Sequence, residues 1–412
     1  METQALLEFD EGWYLDTYKD VAQAVREGLW QSGYMHYCVL GKTKGRCGAP
    51  DIAEDWYSTT YPLVALEIAA GKASSPREHY FKIGRFRGYL PNQKAQRPNN
   101  SGGFRSRFGG LWTDQLNALD LVEGRRELGM ITDEQAGLLK SWISDGYVIL
   151  HGAIPEPLIA SALHEIDAAY GGDYPDVRFN IAGIGRNQLW SPDVQKGPAK
   201  ALDLHWFSEP LRELIFAPKV LEFLHLLFER RALATQSLAF WRGSAQDGHQ
   251  DSAYVNYSLP MQFAASWIAL EDVREGAGEL FYHVGSHRMA EFLYLEKYKG
   301  VEEAFRLEGQ SNDVSRQINK HVGQIALQAQ GLGLETKRLL ASRGDVLFWA
   351  ADLAHGGRPI SNAQTRKSIV THYCPAELVP SYFETGRHNS NVLSHRGMAF
   401  YASSHYGNSA EG

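Results

Sequence analysis

The sequence is poor in cysteine: Cys38, Cys47 and Cys374 are the only three in 412 residues. So few, so spaced, make neither a disulfide framework nor a zinc set, and reduced thiols in a cytoplasmic setting are expected. No uninterrupted apolar run reaches the roughly 18 residues of a membrane-spanning helix. The opening METQALLEFDEGWY is acidic and lacks the apolar stretch of a signal peptide. A basic excess is also missing. Lys and Arg number 41 against 48 Asp and Glu, a net charge of −7, which argues against nucleic acid or an anionic membrane as partner. There is no GxxxxGK phosphate loop and no GxSxG nucleophile elbow. The G-x-G in IAGIGRNQLW has no third glycine and reads as a loop.

What is present is an ordinary globular composition, 44% hydrophobic and 22% charged, long enough for two domains. Aromatic residues reach 12%, ten of them Trp, enough for large cores and deep pockets. The first 90 residues contain a duplication. Trp13-Tyr14 recurs as Trp56-Tyr57, Tyr18 as Tyr61, Val21 as Val64, His36-Tyr37 as His79-Tyr80, Gly41 as Gly84 and Gly45 as Gly88, every pair 43 apart. Matches in one register without insertion predict two copies of a small unit, each with two short helices closed by glycine, packed against its twin. His36 and His79 are expected to serve that packing and not to bind a ligand. The copies resemble short helical repeats that accompany some bacterial glycosyltransferases and surface proteins. That resemblance implies interaction or substrate presentation, with a protein or glycan partner. Residues 91–111 read as a flexible basic linker, rich in Pro, Asn, Gly and Ser.

A different texture runs from 112 to 408. Thr132-x-x-Gln135 predicts a capped helix, followed by Gly146, the strand YVIL and a Pro-marked second helix. Short aromatic and β-branched segments come later: ATQSLAFWR, FAASWIALEDV, GELFYHV, GDVLFWA and RKSIVTHYC. They predict an α+β domain with an antiparallel sandwich or barrel at its heart. The polar, helical stretch 290–340 would form a lid or a cleft wall, and 178–207 would also shape the pocket.

The residues that carry chemistry are His249-Gln250-Asp251, His355 and Arg366. An imidazole and a carboxylate two apart on a strand point to one face and can share a metal. A distant His completes the two-histidine, one-carboxylate facial triad, which leaves three positions open on Fe(II) for a bidentate 2-oxo acid and dioxygen. His-x-Asp occurs once here, among 15 histidines. Its surroundings add weight: His355 follows the strand-like GDVLFWAADLA, and Arg366 opens the next strand eleven residues later. Antiparallel pairing of those two segments would return Arg366 to His355, where a guanidinium can grip a carboxylate bidentately. His205, His321 and His372 have no such spacing and read as ordinary, and His283 and His287 flank a structural GSHR turn.

In these blocks (SDGYVIL, HQDSAY, SWIALEDVREGAGELFYHVGSHR and GDVLFWAADLAHGGRPISNAQTRKSIVTHY) the chain resembles the phytanoyl-CoA dioxygenase family of Fe(II)/2-oxoglutarate oxygenases, over roughly residues 112–380. The resemblance implies a double-stranded β-helix, or jelly-roll, core with flanking helices. It implies iron on His249, Asp251 and His355, with Arg366 on the distal carboxylate of 2-oxoglutarate and Trp267 and Gln250 beside the cosubstrate. The family often has a hydroxyl two residues after the distal His. Here that position is Gly357, and Ser368 or Gln236 would supply the contact instead. Related halogenases lack the carboxylate. Its presence as Asp251 implies hydroxylation or another oxidation of a small molecule, a natural product or a saccharide, with release of succinate and carbon dioxide. Two other readings use the same residues: a jelly-roll metal enzyme without 2-oxoglutarate, acting as an epimerase or lyase, and a non-catalytic adaptor.

Overall fold

The structure, a computed structural model, describes residues 9–84, 89–92, 103–255, 257, 259–309, 312–378, 380, 392–401 and 406. The chain divides into two compact units, residues 1–100 with 123–133 and residues 101–122 with 134–412. Of the expected linker, 93–102 lie outside the described residues. Residues 103–111 pack on the larger unit: the Ser106 hydroxyl donates to Glu291 at 2.6 Å, and Leu111 is buried.

In the smaller unit, positions 43 apart make the same contacts. Each copy has three short helices, not the two expected: Glu11–Thr17, Lys19–Arg26 and Gly33–His36, then Glu54–Thr60, Leu63–Ala69 and Pro76–Lys82. The WY pair is itself helical. Ser32 and Ser75 cap the third helix by accepting the amides of Met35 and Glu78. The Tyr14 hydroxyl meets His36 Nδ1 at 3.0 Å, and Tyr57 meets His79 Nδ1 at 3.0 Å. The amides of Cys47 and Leu90 donate to the hydroxyls of Tyr18 and Tyr61. Each copy has an aromatic core cluster of its own: one around Phe9, Tyr14 and Val21, the other around Tyr57, Tyr61 and Tyr80.

In the larger unit, helix Asp133–Asp145 leads into strand β1 (Tyr147–Leu150). After helix Glu156–Gly171 come β2 (Phe179–Ile181), β3 (Gly185–Gln188) and β4 (Ala199–Leu202). Helices Glu209–Ile215 and Pro218–Phe228 precede β5 (Ala232–Phe240), β6 (Ala264–Ala269) and β7 (Leu280–His283). Helices Val301–Glu308 and Asn312–Gly331 separate these from β8 (Thr336–Leu339), β9 (Val346–Ala350), β10 (His355–Gly357) and β11 (Ser368–Pro375). The hairpin β12 (Val392–His395) and β13 (Met398–Tyr401) ends the set. A large sheet runs β1-β9-β6-β11-β5-β4-β2-β3, with β13 beside β5, and a small sheet runs β10-β7-β8. All pairs are antiparallel except β13 with β5.

The central strands are buried on both faces, so they are apolar throughout and alternate by partner, not by polarity. On β9, Phe348 meets Phe223 of the outer helices at 4.9 Å, while Leu347 and Trp349 turn to a core shared with Leu280, Tyr282 and Leu339 of the small sheet. On β11, Tyr373 faces the helices and donates to the Ile215 carbonyl, while Val370 and His372 face inward. Two facing sheets with helices on the outside of the larger one make a jelly-roll core with flanking helices. No helix among the described residues is long and apolar enough to cross a membrane.

Candidate metal centre

Alternate residues of the large sheet line one cavity of about 1010 Å³: Gln236, Leu238 and Phe240 on β5, Trp267 on β6, Trp349 on β9, Val370 and His372 on β11. His249, Asp251 and His355 meet at its wall, their ligand atoms within 4.8 Å of one another. His249 and His355 exchange both backbone hydrogen bonds at 2.9 Å, an isolated bridge that sets their rings 4.5 Å apart. Asp251 is not on a strand. It opens the 3-10 turn Asp251–Ala253, which swings its carboxylate back under both imidazoles. Oδ1 lies 3.6 Å from His249 Nε2 and 3.8 Å from His355 Nε2.

The outer atoms are tied down. Each histidine Nδ1 donates to a backbone carbonyl at 2.9 Å, His249 to Asp247 and His355 to Leu353. That selects the tautomer whose Nε2 carries the lone pair and faces inward, where at His249 it accepts from the Gln246 amide at 3.1 Å. Asp251 Oδ2 accepts from the Trp349 indole at 2.7 Å and lies 3.3 Å from His372 Nε2, leaving Oδ1 for the centre. Burial pushes the His355 imidazole down to about 4, so it is neutral at physiological pH, the form that binds metal. Burial alone would raise the Asp251 carboxyl, but His355, His249 and His372 beside it hold it well below the usual range. Two neutral imidazoles and one carboxylate, each braced from behind, fit a divalent metal with open positions.

Arg366 reaches the same cavity by a route other than the expected one. β10, which carries His355, pairs with β7, and β11, which follows Arg366, pairs with β5 and β6. The two residues therefore face the cavity from different sheets. The Arg366 guanidinium is 1% exposed, donates to the Gly278 carbonyl at 2.5 Å and lies over the rings of Phe240 and Trp267. Gly278 can present that carbonyl because it adopts φ +80° against Gly243, an approach that a side chain on either would block. Arg366 Nε has no partner, and no carboxylate among the described residues lies within ion-pair distance of the guanidinium.

Trp267 and Gln236, expected beside the cosubstrate, line the cavity. Gln250 and Ser368 do not. The Gln250 amide is turned away to donate to the Asp352 carbonyl at 2.7 Å, and the Ser368 hydroxyl donates to the Arg366 carbonyl at 3.2 Å. His372, read as ordinary, stands against Asp251. Period-two counting from Arg366 through Val370 would have placed it on the same face. His205 and His283 are ordinary, bonded to Ser237 and Thr336, and His287 bonds the Ile143 carbonyl in the expected turn. The cleft wall predicted at 290–340 contributes Val301, Glu302, Phe305 and Ile318, and 178–207 contributes Asn180, Arg186, Asn187, Lys200 and Leu202.

Comparison with known proteins places the chain in a family. The chain is similar to solved structures of the non-haem α-ketoglutarate-dependent carbocyclase SnoK from nogalamycin biosynthesis (15% identity, 60% of this chain and 86% of that one, TM-score 0.44). It is also similar to the epimerase SnoN from the same biosynthesis (16%, 65% and 98%, 0.46) and to HygX from Streptomyces hygroscopicus with nickel and 2-oxoglutarate bound (16%, 60% and 88%, 0.38). No curated protein sequence matches the chain. A family model described as phytanoyl-CoA dioxygenase (PhyH) matches residues 142–368, a stretch that holds His249, Asp251, His355 and Arg366. More than half of the chain lies within that match, and the chain belongs to the phytanoyl-CoA dioxygenase (PhyH) family.

Proposed function

We propose that the protein is an Fe(II)- and 2-oxoglutarate-dependent oxygenase that hydroxylates an unactivated C–H bond of a small molecule, releasing succinate and carbon dioxide. The observation that carries this reading is the pairing of two features on one cavity. One is a set of His249, Asp251 and His355 with every outer atom bonded elsewhere; the other is a buried guanidinium, Arg366, with no carboxylate partner among the described residues. Bound iron would supply dioxygen activation coupled to oxidative decarboxylation of the 2-oxo acid.

The residues have separable tasks. His249, Asp251 and His355 would hold the metal on one side and leave the cavity side open. Arg366 would receive the distal carboxylate of 2-oxoglutarate, with Gln236 as the polar neighbour and Trp267 as the wall. Val301, Phe305 and Ile318 would shield the reacting carbon from water. Asp251 supports hydroxylation, because its carboxylate fills the position that a halide would need.

The test is anaerobic titration of Fe(II)-loaded protein with 2-oxoglutarate, followed by visible absorption. A weak charge-transfer band, lost in Arg366→Ala, is expected for a bidentate 2-oxo acid on this iron. Bound iron without a band in the native protein would leave a metal enzyme that does not use 2-oxoglutarate.

A further inference from the structure

The charges on the cavity do not balance once the metal and cosubstrate are counted, and the excess is positive. With two neutral histidines, Asp251 leaves a divalent metal with one net positive charge. That charge and Arg366 together neutralise the dianion of 2-oxoglutarate. Two further cations, Lys200 and Arg186, remain on the lining with one carboxylate, Glu302. Neither cation has an ion-pair partner among the described residues.

Their placement is specific. Lys200 lies on β4 between Asn180 of β2 and Phe240 of β5, and Arg186 lies on β3 of the neighbouring hairpin. Lys200 Nζ donates to Gln246 Oε1 at 2.6 Å, and the amide nitrogen of Gln246 lies 3.1 Å from His249 Nε2. Two hydrogen bonds and an amide therefore separate the lysine from the metal-facing nitrogen, about 8 Å at most. Burial pushes the Lys200 amine down; Asp251 opposes it, and Arg186 and then Arg366 add smaller downward pushes. A buried ammonium with two guanidinium groups in range is favoured by an added anion. A second depression of about 610 Å³ adjoins this point and shares Asn180, Arg186, Lys200 and Gln246, so a molecule can extend outward past the two cations.

We infer that the primary substrate carries an anionic group, a carboxylate or a phosphate, held by Lys200 and Arg186 beside the metal centre, with the oxidised carbon a few bonds from it. The inference rests on the 2-oxoglutarate reading for its charge balance and names the substrate class of that site. A neutral substrate would leave the half-buried Lys200 and the exposed Arg186 with Glu302 as the one counter-charge the lining offers them.

The experiment is calorimetric binding to Ni(II)-loaded protein, with and without saturating 2-oxoglutarate. The probes are hexanoate, hexyl phosphate and the neutral hexanamide. One or both anions should bind saturably and the amide should not; which of the two binds identifies the headgroup. Lys200→Met and Arg186→Met should each weaken the anion by about 10-fold or more, the effect of losing a charged hydrogen bond. Lys200→Arg should retain it, and affinity for Ni(II) and 2-oxoglutarate should stay unchanged in all three. The inference is overturned by equal binding of amide and acid, by no saturable anion binding, or by unchanged affinity in both Met variants. It is also overturned if Lys200→Met loses 2-oxoglutarate, which would put the lysine in the cosubstrate site. If the native protein fails to bind 2-oxoglutarate, the proposed function falls, while the arm without it still reads the anion site.

Discussion

The indole N–H of Trp349 donates to Oδ2 of Asp251 at 2.7 Å, and the same ring lies 4.7 Å from that of His355. One side chain of β9 thus orients two members of the triad, fixing the carboxylate so that Oδ1 faces the histidines. Trp349→Phe keeps an aromatic ring on β9 but removes the donor and part of the buried indole. Metal affinity should fall about 10- to 100-fold, the usual cost of an outer partner, and the melting temperature should also fall because the smaller ring leaves a cavity in the core. Competition titration with Co(II) measures this. Unchanged affinity would show that His372 alone suffices to hold the carboxylate.

The pH dependence of stability follows from buried histidines outside the triad. Burial pushes His287 and His321 down to about 4. The unfolded chain takes up a proton on each near pH 6.5, and the folded chain does so only near 4. Stability should therefore fall as pH drops through that window, by roughly 1.4 kcal/mol per pH unit for each histidine. Asp251, held low, adds its loss only below the carboxylate range. Urea unfolding between pH 7 and 4.5 reads the slope. His321→Phe, in the aromatic cluster with Phe292 and Tyr294, should reduce it by one proton. An unchanged slope would mean that His321 is charged in the folded protein.

Much of this was legible in the residues, though not always for the reason first supplied. His-x-Asp did point to neighbours, but through a bridge and a 3-10 turn and not through strand alternation. Arg366 and His355 share a cavity although their strands do not pair, because spacing along the chain cannot say which sheet a strand joins. Trp349 and Lys200 were not legible at all. Nothing in GDVLFWA or GPAKAL marks a side chain that will meet a carboxylate or an open cavity, since both depend on register between distant strands. The glycines of the repeat were visible, but Gly41 and Gly84 do not end helices by positive φ. They make room for a tyrosine oxygen.

That last point is testable. A Cβ on Gly84 would fall 1.8 Å from the Tyr57 hydroxyl, and one on Gly41 would fall 2.2 Å from that of Tyr14. Both tyrosines are fully buried and bonded to histidine, so neither can move aside. Gly84→Ala should cost about 1–3 kcal/mol, the range for overpacking. The loss should appear in thermal unfolding of the full chain while metal affinity stays unchanged, because the unit that holds Gly84 contains none of the triad. A parallel loss of metal affinity would show that the two units fold as one.

Arg366 makes the sharpest demand. Its guanidinium is buried against Phe240 and Trp267, its Nε is unbonded, and it has no carboxylate partner among the described residues. Burial pushes its pKa down to about 10, so it stays protonated at neutral pH and lowers stability in the absence of an anion. Arg366→Met should therefore raise the melting temperature of the ligand-free protein. The same change should weaken 2-oxoglutarate by about 10- to 150-fold, the value of a charged hydrogen bond, and leave metal affinity intact. Arg366→Lys should not restore full affinity, because an ammonium cannot match the planar fork. The rise in melting temperature that 2-oxoglutarate gives the native protein should vanish in the Met variant, since a ligand stabilises only through the state that binds it. If the variant instead melted lower and kept its 2-oxoglutarate affinity, Arg366 would be a brace for the Gly278 turn, and the cosubstrate carboxylate would need another partner.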